Sequence, residues 1–192
     1  MFGCAADVHK IDYYFGFFVP SVSIIISGSR NSKKRAMKPE VLDQVRKMIA
    51  SRKLGGKNAL GADLPWSCDE TPPQLFYTGL EQFNRGEYFE QHESLEELWI
   101  LETRPVRYLY QGILRIGVGF YKLRLCNYRG TVNHLKGGVA YLRPFGDECL
   151  GVDLARLIND ALYVHDQAVA LGPDHLADFD LTTLPKVHYE RR

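Results

Sequence analysis

His92-Glu93-x-x-Glu96 is the set of side chains in this sequence best suited to chemistry. On a helix, residues four apart share a face and their side chains meet. His92 and Glu96 could therefore exchange a proton or hold a metal together. Glu93 would be the candidate catalytic base, by analogy with the H-E-x-x-H pattern, where the intervening glutamate activates a metal-bound water. A catalytic metal site needs a third protein ligand and an open position. His165 is the candidate third ligand, so His92, Glu96 and His165 form the metal hypothesis. The pattern also arises by chance in Glu-rich helices, and no particular metal or cofactor is indicated.

These residues must be carried by a helix. Glu87 to Leu101 has no glycine or proline and is rich in Glu and Leu, which favours one. On its wheel Tyr88, Phe89, Leu95, Trp99 and Ile100 share an apolar face, and His92 and Glu96 fall in the middle of it. A buried carboxylate without a partner is costly or shifts its pKa. Glu96 is thus expected to find a donor, a cation or a metal. The following helix, Val106 to Cys126, is apolar on two sides, with a narrow polar strip of Gln111, Arg115 and Lys122 beside Tyr108. The strip complements the carboxylate: Arg115 is expected to pair with Glu96 in a bidentate manner, and Gln111 to bond His92 or Glu93. A register-setting core cluster and a ligand pocket both fit this pattern.

The phrase Phe83-Asn84-x-Gly86-x-Tyr88-x-Glu90-x-His92-Glu93-x-Leu95-Glu96-x-x-Trp99, followed by Gln111-Gly112 and Asn127-x-x-Gly130, resembles the family catalogued as domain of unknown function 309. The resemblance covers roughly residues 74 to 145. It implies a compact all-α bundle and no established reaction. That family often carries a histidine near the position of Tyr121 or Lys122, and its replacement here takes away one metal ligand that such a site could use.

Other punctuation completes an all-α bundle of two helical hairpins and a C-terminal helix. Thr71-Pro72-Pro73 reads as a helix start, with Thr71 as the cap. Asn84-Arg85-Gly86 reads as a stop, and Thr103-Arg104-Pro105 as a break. Gly112, Gly117 and Gly119 weaken the central helix by about 1 kcal/mol each, a cost that close helix packing would offset. Asn127 to Gly130 reads as a turn before a helix from Thr131 to Arg143, with His134 on its surface flank. Asp153 caps the last helix, which carries His165 on its apolar face and ends at Gly172-Pro173.

The chain has 192 residues, 45% hydrophobic and 24% charged, with a net charge of +1. That balance gives no general attraction to nucleic acid. The expected organisation is an apolar and basic extension over residues 1–36, a helix and linker over 37–70, the bundle over 71–172 and an extended tail over 173–192. Residues 11–28 are apolar and followed by Arg30, Lys33, Lys34 and Arg35. A membrane anchor there competes with a start at Met37. The four cysteines form no C-x-x-C pair and are read as free thiols in a reducing cytoplasm.

Three functions follow. The first is a binding module that holds a small molecule or protein partner on His92, Glu96, Gln111, Arg115, Lys122, Tyr88 and Trp99. The second is a metal-dependent hydrolase. The third is a purely structural or assembly protein. An Arg115 left un-neutralised beside an open cavity would favour the first. Three convergent ligands would favour the second, and a dry, fully paired cluster the third.

Overall fold

In the computed structural model, residues 67–192 are described. The apolar run at 11–28, the basic cluster after it and the helix expected within 37–70 lie outside them. The described residues form an all-α bundle with one small sheet. Helix α1 spans Gln74–Arg85, α2 Tyr88–Leu101, α3 Arg107–Arg124 and α4 Tyr128–Leu142. A two-residue antiparallel hairpin, β1 Glu148–Cys149 and β2 Val152–Asp153, precedes α5, Leu154–His175. No helix of the described residues is long and apolar enough to cross a membrane.

Gly86 ends α1 in the left-handed conformation (φ 75°), its amide bonding back to Phe83. Arg124, from the end of α3, donates to the Gly86 carbonyl at 2.8 Å and lies 4.6 Å above the Tyr88 ring. Phe83, Tyr88 and Phe120 pack edge to face at 5.6–5.8 Å. Such pairs add to the stabilisation from burial alone. The Phe-Asn-x-Gly-x-Tyr phrase is thus the hinge and core of the first hairpin.

The central helix α3 is apolar nearly all round, and Leu109, Ile113, Ile116 and Phe120 are fully buried. Its glycines allow close approach. A methyl group at Gly112 would stand 2.5 Å from Leu142, and one at Gly119 2.6 Å from Leu135. Helices α3 and α4 pack against each other at both points.

The start of α1 and the α3–α4 hairpin differ from expectation. Thr71 does not cap α1. Pro73 occupies that position, and no side chain bonds the first amides. The second hairpin has no glycine turn: Cys126 takes the left-handed conformation (φ 53°), and Gly130 lies inside α4. Asn127 caps α4 by accepting from the Gly130 amide at 2.8 Å. The turn read at 127–130 is therefore the first turn of the helix. Asp153 caps α5 as expected, accepting from the Arg156 amide, and Gly172 (φ 69°) breaks its regular backbone.

The free-thiol reading is corrected. Cys68 and Cys149 form a disulfide, and no described cysteine is a free thiol. The argument from free thiols to a reducing compartment falls with it. Cysteines 81 residues apart come together only through the fold, so spacing carried no sign of the pair.

Candidate functional site

On α2 the buried face is Tyr88, Gln91, Leu95 and Leu98. Its centre is one residue away from the face drawn on the wheel. Gln91, which the wheel did not single out, is a fully buried polar side chain at 0% exposure. A methyl group at Gly117 would stand 2.3 Å from the Gln91 carboxamide oxygen, so Gly117 leaves the room that Gln91 fills. Neither polar end of Gln91 has a hydrogen-bond partner. The sequence signal was a glycine on α3 facing a polar residue on α2, legible only once the helices were in register.

His92 and Glu96 flank this face and are half-buried, while Glu93 is exposed. Burial lowers the His92 pKa to about 4. Burial, and then the neighbouring charge of Glu93, raises that of Glu96. The expected Glu96–Arg115 pair does not form. Arg115 instead donates to the Asn133 carbonyl of α4 at 3.3 Å and lies 5.7 Å above the Tyr141 ring. Gly137 provides the space, since a methyl group there would meet the guanidinium at 2.3 Å. Gln111, expected to bond His92 or Glu93, leaves its carbonyl oxygen without a partner. The structure draws Arg115 toward α4 rather than α2, because a glycine and a tyrosine there make a bed for it.

His134, expected on the surface, is half-buried and faces this group. Burial, and then the charges of Arg115, Lys122 and His92, press its pKa down to about 4. The structure thus brings together His92, Arg115, Lys122 and His134, from three helices, as a basic cluster. Arg115 Nε and His134 Nδ1 are buried without a hydrogen-bond partner. Beside the cluster runs a file of alternating rings and cations. Arg107, only 3% exposed, lies 5.0 Å over Trp99 and donates to the Trp99 carbonyl. Tyr108 and Tyr141 stack at 5.8 Å and 9°.

The remaining candidates are not members of the cluster. Tyr88 is 3% exposed in the aromatic core, away from the cluster. Trp99 is half-buried under Arg107 at the end of α2. His165 is on α5, where its Nδ1 meets Asp166 at 2.9 Å. Among the described residues no three His, Cys, Asp or Glu side chains converge as metal ligands, and His92, Glu96 and His165 are not assembled.

Fold and cluster together define a small all-α bundle built from helical hairpins, with a polar group where α2, α3 and α4 meet. Residues 76–134 match the family model described as domain of unknown function (DUF309), the family that the motif resembles. The matched segment runs from α1 to His134, so it contains all four members of the basic cluster. No curated protein matches the chain.

Proposed function

We propose that this protein is a binding module for a small anion, held by Arg115 and His134 at the junction of α2, α3 and α4. The observation that carries this reading is Arg115. Among the described residues its half-buried guanidinium meets one backbone carbonyl and one ring, and no carboxylate. A guanidinium offers five donors in a fixed fork that suits carboxylate and phosphate oxygens. The buried, unpartnered atoms Arg115 Nε and His134 Nδ1 support the reading, because buried polar atoms ordinarily have partners. A purely register-setting role would leave Arg115 Nε and His134 Nδ1 paired. A metal-dependent hydrolase on His92, Glu96 and His165 would need these three side chains to converge, and among the described residues they do not.

The test is calorimetric titration of the full chain with inorganic phosphate, sulfate and citrate at neutral pH. At least one anion should bind, and Arg115→Gln should weaken it by about tenfold or more, as expected for loss of a charge-assisted hydrogen bond. Thermal unfolding of the variant checks that it remains folded. Equal binding by wild type and a folded Arg115→Gln protein would remove the proposal, as would no binding of any of the three anions.

A further inference from the structure

A second place in the fold has the features of a ligand site, and the basic cluster takes no part in it. A cavity of about 380 Å³ opens between the start of α1, the α2–α3 connection and the loop after β1. Its volume is in the range of small-molecule pockets. Pro72, Leu98, Leu101, Val106 and Leu150 give it apolar walls. Leu101 is 48% exposed, an unusual position for a large aliphatic side chain at the end of a core helix.

The polar lining has a definite sign. Arg104 is gripped by Glu102 through two bonds of 3.0 and 2.9 Å and by Glu70 at 2.8 Å. Two carboxylates against one guanidinium leave an excess of one negative charge. Each carboxylate keeps acceptor capacity beyond the bonds that Arg104 uses. Tyr110 supplies the independent observation. It lines the cavity and is only 3% exposed, and its hydroxyl makes no hydrogen bond among the described residues. Burial, and then the charge of Glu102, raises its pKa to about 12, so the phenol is neutral and available both to donate and to accept.

We propose that this cavity binds a small organic cation, with an apolar or aromatic body against Leu98, Leu101 and Leu150. A protonated amine would donate to Tyr110 and to the free acceptor positions of Glu70 and Glu102. The same charge excess disfavours a carboxylate on the same body, since like charges brought into a partly desolvated site repel.

Tryptamine is a suitable probe, with tryptophol as the neutral analogue and indole-3-propionate as the anionic one. Binding to the full chain is followed by ligand-observed NMR and calorimetry. Tryptamine should bind about tenfold or more tightly than tryptophol, as one charge-assisted hydrogen bond allows, and indole-3-propionate should not bind. Tyr110→Phe and Glu70→Gln should each weaken tryptamine several-fold. Glu70→Gln keeps the Glu102–Arg104 pair, so one variant stays informative if the other fails to fold. Arg115→Gln should leave tryptamine binding unchanged, which separates this site from the anion site. Equal binding of the three indoles, no binding of tryptamine, or an unchanged affinity in folded variants would overturn the proposal.

Discussion

Gln91, His92 and Glu96 differ in their burial, and so in what the fold asks of each. Gln91 is sealed against Gly117, whereas the other two stand at the edge of the same face. The edge position has a consequence for pH. His92 and His134 both titrate near 4 in the folded protein, below the ordinary value of 6.5. Between those values the unfolded chain binds protons that the folded chain does not, so stability must fall as pH drops from about 6.5 toward 4. Groups facing His134 are Arg115, Lys122 and His92, all of which oppose its protonation. Each histidine would lose at most about 3 kcal/mol over the window. Urea unfolding at a series of pH values should show the decline, and His134→Asn should flatten it. An identical pH profile in the variant would show that His134 is not the responsible group. The helix and its polar residues were legible in the sequence, because composition and spacing are local. The position of the buried face was not. It depends on where Gly117 of α3 leaves room for Gln91, and Arg115 turns to α4 rather than to Glu96.

At the scale of elements, glycine does more than break helices. Gly112 and Gly138 face each other across α3 and α4. A methyl group at Gly138 would stand 2.9 Å from the Gly112 carbonyl oxygen and 3.2 Å from the Ile116 amide. Both are backbone atoms and cannot rotate away. Alanine ordinarily stabilises a helix relative to glycine by about 1 kcal/mol. Here the clash should dominate, so Gly138→Ala is expected to destabilise by about 1–3 kcal/mol. Denaturant unfolding measures the sign directly, and a stabilised variant would mean that the helices can separate without loss. The sequence showed that α3 was central and that its glycines required close neighbours. It did not show the hairpin at 148–153, whose two-residue strands carry too little alternation to stand out. Nor did it show that Cys126, rather than a glycine, would take the left-handed turn.

At the scale of the molecule, segments far apart in sequence are tied together at one junction. Asn84 holds the C-terminal segment through two bonds, accepting from the Val187 amide at 2.7 Å and donating to its carbonyl at 2.9 Å. Glu190 and Gly151 join through a backbone bond of 2.8 Å. Arg192 reaches the Cys68 carbonyl, Asp69 and Glu148. This gives the asparagine of the family-like phrase a structural role in docking the C-terminal segment. The Cys68–Cys149 disulfide is the covalent part of the same junction, closing a loop across a separation of 81 residues. In the chain-entropy account, a loop of this size restricts the unfolded state by about 4 kcal/mol. The double variant Cys68→Ser with Cys149→Ala should therefore lose stability of that order in urea, with its fold retained by circular dichroism. The Asn84 and Arg192 contacts are non-covalent and do not confine the unfolded chain, so they cannot replace the lost restriction. If the double variant unfolded at the wild-type urea concentration, the junction would be held by those contacts alone, and the disulfide would add nothing to the stability of the bundle.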